Sequence, residues 1–305
     1  MRLDALVRTR QQVSWGKARG WIETGKIWVE GRPITDPSFE VFETVVFELK
    51  MNAPRNAGTS RSKGITPGFA KSRVVFCDTQ VIVVNKPAGM STVPYEETET
   101  GTLEQAIRDH LQQSRVGVVH RLDRDTSGLL VFARTASAEK ALAQQFRFHS
   151  VKRRYFALAE GAVCSQTCRS VILDDRGDGL RGSLPPGSRL SRDVGKESIT
   201  HVTCLEQFNG ISLVECRLET GRTHQIRIHL SEAGHPLLGE KAYIREFVGL
   251  RTEAPRMMLH AAELGFVHPT RCTPLHWTEC PPEDFLSLLP SETRAALVSR
   301  LAEAR

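Results

Sequence analysis

Residues 120–128 read His-Arg-Leu-Asp-Arg-Asp-Thr-Ser-Gly, and residues 221–230 read Gly-Arg-Thr-His-Gln-Ile-Arg-Ile-His-Leu. The first string is a turn-rich loop between two short apolar stretches. Its Thr, Ser and Gly residues permit tight backbone geometry around Asp123. The second string supplies a candidate cationic partner, Arg227. A carboxylate held ionised by a guanidinium suits attack on an electrophilic carbon. On spacing alone, a turn or cap role for Asp123 leads.

Around these strings, strands and helices interleave unevenly. The segments 81–84, 129–133, 155–158, 200–205 and 212–218 read as strands. A helix is expected over 102–113, opened by a capping box of Thr102 with Gln105. Others are expected over 138–148, over 224–233 with Gly234 as its stop, and over 291–304. Such interleaving favours α+β over a regular doubly wound sheet. Near the N-terminus, a helix over 13–24 is capped by Ser14 and stopped by Gly25. A strand over 26–30, a turn at Gly31-Arg32 and a strand over 41–49 follow. Residues 51–72 turn to Asn, Gly, Ser, Pro and basic side chains with no acid, the composition of a flexible linker. That linker either attracts phosphates or is a solvated tether. The expected organisation is a small module over 1–50, a basic linker over 51–72 and a main domain over 73–305.

Composition narrows the class. The 305 residues are 40% hydrophobic and 25% charged, with a net charge of +6. That balance favours an anionic partner such as nucleic acid. No apolar run is long enough to span a bilayer, and the N-terminus lacks the apolar core of a signal peptide, so a cytoplasmic protein is expected. Seven scattered cysteines, an odd number, argue for ordinary thiols in a reducing compartment.

Arg121-Leu122-Asp123 followed by Thr126-Ser127-Gly128 resembles the catalytic loop of the RluA-type pseudouridine synthases, which isomerise uridine within RNA. Four more segments resemble that family in order: Asp78 with 81–91, Tyr155–Leu158, 221–230 with Gly234-His235-Pro236, and Leu259–Ala261 with 266–269. The likeness runs from about Arg73 to Phe285. It implies the pseudouridine synthase fold, a mixed and largely antiparallel sheet with flanking helices. By the same resemblance, Asp123 is the nucleophile, attacking either the base at carbon 6 or the ribose at its anomeric carbon, a choice the sequence leaves open. Arg227 pairs with Asp123, and Tyr155 stacks on the flipped base. Arg121, Leu122, Thr126 and Leu259 contact the substrate, and Lys86 faces RNA. No metal or cofactor is implied, and the partner is ribosomal or transfer RNA, bound by a monomer. Two departures, Gly239-Glu240-Lys241 where the family has Gly-Asp and Arg153 where it has lysine, keep charge and read as tuning.

The stretch 14–34 resembles the small RNA-binding module named after ribosomal protein S four. That implies an α/β module whose Lys17, Arg19 and Lys26 face phosphates. Trp15 stands where that family usually has arginine.

Three rivals remain. A zinc hydrolase is suggested by six histidines between His224 and His276, yet no H-E-x-x-H occurs. A glycoside hydrolase needs a second carboxylate beside Asp123. A ribosome-assembly factor with little or no catalysis needs neither.

Overall fold

The computed structural model describes residues 1–37, 39–51, 71–95, 99–185, 195–244 and 247–303. The expected linker therefore falls almost wholly outside the described residues. The chain divides into two compact units: Met1–Pro67 with Asp175–Leu180, and Gly68–Asp174 with Arg181–Arg305.

The first unit holds α1 (Leu3–Gln11), α2 (Trp15–Glu23), β1 (Ile27–Val29), β2 (Arg32–Pro33) and β3 (Phe47–Leu49). Ser14 caps α2 by accepting from the Lys17 amide, and Gly25 ends it at φ +71°. Leu3, Leu6, Val7, Ala18, Ile22, Ile27 and Val29 form one small core. The strand expected over 41–49 shrinks to β3. Val41 turns inward while Phe42 and Val46 lie exposed, so the hydrophobic alternation there does not belong to one sheet face.

In the second unit, β4 (Val74–Cys77), β5 (Val81–Lys86), α3 (Leu103–Leu111), β6 (Gly117–Val118), β7 (Ser127–Ala133) and α4 (Ala136–Arg147) come first. Then follow β8 (Lys152–Glu160), β9 (Gln166–Leu173), β10 (Gly182–Ser183), β11 (Lys196–Phe208) and β12 (Ile211–Leu218). After α5 (Gln225–Glu232) come β13 (Leu259–Val267), β14 (Pro274–Thr278), α6 (Glu283–Leu286) and α7 (Ser291–Ala302). The strands build one sheet in the order β10-β9-β11-β12-β8-β13-β7-β5-β4, with β6 and β14 pairing at its side. Its pairings are antiparallel except between β7 and β13, which makes the sheet mixed and largely antiparallel. Thr102 caps α3 through the Gln105 amide, while the Gln105 side chain accepts from Gly101 rather than from Thr102 itself.

The parallel seam matters because the Asp123 loop enters β7 there. Gly128 sits at φ +114° opposite Ala261, and a Cβ at this position would run into the Ala261 carbonyl and amide. Gly128→Ala thus combines an unfavourable φ with a backbone collision that no side-chain rotation relieves. It should destabilise the unit by about 3 kcal/mol, seen as a melting midpoint lowered by about 5–10 °C. An unchanged midpoint would contradict this packing.

Candidate active site

The loop leading into β7 is pinned at successive backbone positions. The Thr92 hydroxyl donates to the Leu122 carbonyl at 2.8 Å and accepts from its amide. The Lys86 ammonium donates to the carbonyls of Pro87, Met90 and Arg124 at 2.7–3.0 Å. Arg256 donates to the Asp125 carbonyl at 3.1 Å and pairs with Asp284. The Thr126 amide closes a turn onto the Asp123 carbonyl. A segment without helix or ladder bonds of its own needs such partners to hold one conformation. The result presents Asp123 at the floor of a cleft of about 980 Å³.

Arg227 arrives from α5. The buried Gln225 side chain anchors the start of that helix, accepting from the Arg222 amide and Thr220 hydroxyl and donating to the Ile199 carbonyl and Thr200 hydroxyl. Arg227 Nη1 then lies 3.0 Å from Asp123 Oδ2. The rest of its fork is taken by Glu240, with Nε–Oε2 at 2.7 Å and Nη2–Oε1 at 2.8 Å. Glu240 Oε1 also accepts the amides of Lys241 and Ala242, and the Tyr243 ring lies under the guanidinium at 5.1 Å. Burial disfavours both charges of the Arg227–Glu240 pair. Their mutual hydrogen bonds and attraction outweigh it, so the Glu240 pKa falls and that of Arg227 rises. Asp123 Oδ1 accepts no hydrogen bond among the described residues, with His224 Nε2 3.8 Å away, and a one-sided carboxylate of this kind can act as a nucleophile.

Tyr155 lines the same cleft from β8. Burial raises its phenol pKa, with Asp123 adding to the effect, so the ring is a neutral platform and donor. Arg121 and Leu122 also line the cleft, Arg121 exposed at its rim.

Four expectations are corrected. Lys86 does not face RNA: it is fully buried, and burial lowers its pKa to about 7 while its ammonium braces the Asp123 loop. Thr126 is buried outside the cleft lining, where it shapes the turn. Leu259 lies behind the cleft wall in the core that also holds Tyr155. Arg19 is engaged by the buried Asp4 at 2.8 Å and by the Asp178 carbonyl at 2.7 Å, which leaves it little freedom for phosphates. Lys17 is exposed, its ammonium 5.3 Å from the Trp21 ring, and Lys26 is half-buried.

The sequence assigned no role to Gln225, Thr92 or Arg256, and it read Glu240 only as tuning. Only Glu240 left a signal, as the acid in the departure at 239–241, and its role is larger than tuning. It is not the second carboxylate of a glycoside hydrolase, because both its oxygens are occupied. The six histidines have separate partners, among them Ser127, Glu263 and Asp78, and no metal-binding cluster exists among the described residues.

Comparison with known proteins shows the family. The family model for RNA pseudouridylate synthase matches residues 80–232, and the S4 domain model matches residues 1–43. Ribosomal large subunit pseudouridine synthase D of Xylella fastidiosa is 38% identical over 94% of this chain and 88% of its own length. The protein of the same name from Zymomonas mobilis is 36% identical over 88% of this chain and 86% of its own. Among solved structures, human RNA pseudouridylate synthase domain containing 1 superposes with a TM-score of 0.54 at 26% identity, covering 74% of this chain and 94% of that one. With the family model spanning half of the sequence and relatives aligned along nearly all of it, the chain belongs to the RNA pseudouridylate synthase family, enzymes that isomerise uridine to pseudouridine in RNA.

Proposed function

We propose that this chain isomerises uridines in large-subunit ribosomal RNA, with Asp123 as nucleophile. The observation that carries the reading is the convergence of Asp123, Arg227 and Glu240 in one cleft, with one oxygen of Asp123 accepting no hydrogen bond among the described residues. The RNA class rests on relatives named for the large ribosomal subunit. Asp123 Oδ1 bonds to carbon 6 of the base or to the anomeric carbon of the ribose. The bond from ring nitrogen 1 to that ribose breaks with its electron pair left on the uracil. The ring turns, carbon 5 takes the ribose, the ester to Asp123 opens, and the proton lost from carbon 5 is balanced by one gained at nitrogen 1. Nothing is consumed, so the step needs no co-reactant. A stacked uridine must first be extruded, at a cost of a few kcal/mol, and Arg121 at the rim is placed to hold the backbone meanwhile. Because one chain supplies every group, a monomer suffices, acting in the cytoplasm where ribosomal RNA is. Carbodiimide mapping of pseudouridines in ribosomal and transfer RNA, with and without the gene, tests the proposal. It should lose a defined large-subunit site; identical maps would refute it.

The cleft also suits a polyanion. Arg121, Arg147, Arg153, Arg222 and Lys241 line it, none paired with a carboxylate among the described residues. Arg153 is the most enclosed: its Nε has no partner, it stacks over Phe146 at 5.5 Å, and burial lowers its pKa. An unpaired buried cation is costly unless a ligand completes it. Arg153→Met should raise KM about tenfold and reduce the salt slope of kcat/KM by about 0.7–0.9. An unaltered slope would place the phosphates elsewhere.

A further inference from the structure

His224 is one of two non-glycine cleft residues, with His149, whose backbone holds a positive φ. It adopts φ +60°, ψ 17° just before α5 and, although it occupies the N-cap, its side chain makes no cap bond. L-residues rarely hold this conformation, and N-caps favour short side chains that bond the helix amides. Here that advantage is absent and the imidazole lines the cleft instead. Strain kept at such a place points to a use for the side chain.

The ring's surroundings define that use. Nδ1 lies 2.7 Å from the Tyr243 hydroxyl, and Tyr243 is buried with no other hydroxyl partner among the described residues. Burial raises the Tyr243 pKa, so the phenol keeps its proton, and with no other acceptor within reach among the described residues the hydroxyl donates to Nδ1. The imidazole proton is therefore on Nε2. Burial also lowers the His224 pKa, against the pull of Asp123, which favours the neutral ring. Nε2 stands 3.8 Å from Asp123 Oδ1, the oxygen that Arg227 leaves free. That distance is too long for a hydrogen bond. The attacking oxygen keeps its lone pairs, and a fixed N–H donor faces the space where the reacting nucleoside must lie.

We propose that His224 is a further catalytic residue, donating from Nε2 to a carbonyl oxygen of the target uracil as negative charge gathers on that ring. The proposal rests on the nucleophile reading of Asp123. Whichever carbon Oδ1 attacks, electrons move onto the uracil and its carbonyl oxygens carry the charge. A neutral, preorganised donor at that point stabilises the transition state more than the ground state. Tyr243 fixes the tautomer from behind and is a positioning residue.

A cycle of variants and modified substrates tests this. Wild type, His224→Ala and His224→Gln are each given a fragment of the cognate large-subunit ribosomal RNA carrying uridine, 2-thiouridine or 4-thiouridine at the target. Sulfur accepts hydrogen bonds poorly. His224→Ala should slow single turnover about 100-fold with RNA Kd unchanged, and His224→Gln, which keeps a neutral N–H, should recover about tenfold. One thio substitution should slow the wild type about tenfold and leave the alanine variant unaffected. Equal thio effects in all three enzymes, turnover of His224→Ala within threefold of wild type, or a parallel loss of RNA binding would overturn the proposal. An inert wild type would instead sink the functional reading, and this proposal with it.

Discussion

Asp123→Asn should abolish pseudouridine formation, a fall of about 10⁴-fold or more, while RNA binding persists. The substitution keeps the shape of the side chain and exchanges a carboxylate oxygen for an amide that cannot form the covalent bond. Such tests often fail because the variant misfolds. Here the surroundings protect against that, since the guanidinium facing Asp123 retains its two contacts to Glu240, and the loop backbone is held by Lys86, Thr92 and Arg256 rather than by the Asp123 side chain. Full-length protein should melt close to wild type and bind the same RNA. Measurable isomerisation by Asp123→Asn would remove the nucleophile assignment and return Asp123 to the turn role that spacing alone suggests. Loss of binding together with activity would mean that the carboxylate organises the cleft rather than reacting in it.

What the sequence revealed follows from which interactions are local. Asp123 and Arg227 were legible because each sits in a short string with fixed turn chemistry, and the strands of the main sheet showed as apolar runs. The helix Leu3–Gln11 was overlooked although Leu3, Leu6 and Val7 have helical spacing, because charged residues surround them. Strand Gln166–Leu173 was missed because its first part is exposed and polar, as befits a strand away from the centre of the sheet. Lys86 misled for a different reason. A lysine after an apolar run reads as the first solvated residue, yet the strand continues through it and its ammonium finds three carbonyls, two of them on neighbouring turns of chain. The long-range member of that set, the Arg124 carbonyl, leaves no periodicity to read.

Glu240 should prove nearly as consequential as the nucleophile. An arginine fork has donors enough to grip a carboxylate with two parallel bonds. In this cleft Glu240 occupies Nε and Nη2, so Arg227 offers Asp123 a single bond, from Nη1 to Oδ2, and Oδ1 stays available. Without Glu240 the guanidinium is free to turn and hold both oxygens of Asp123, which ties up the attacking one. Glu240→Gln should therefore lower kcat by about 10²–10³-fold, with RNA Kd little changed, because the defect lies in the carboxylate's readiness and not in substrate capture. Glu240→Ala should add a stability loss of about 3–5 kcal/mol, the usual result of stranding one member of a buried ion pair. The two variants separate positioning from folding: glutamine keeps the volume and most of the amide contacts, so its stability loss should be the smaller while its loss of turnover remains. Wild-type kcat in Glu240→Gln would show that Arg227 is aimed by Tyr243 and the helix alone.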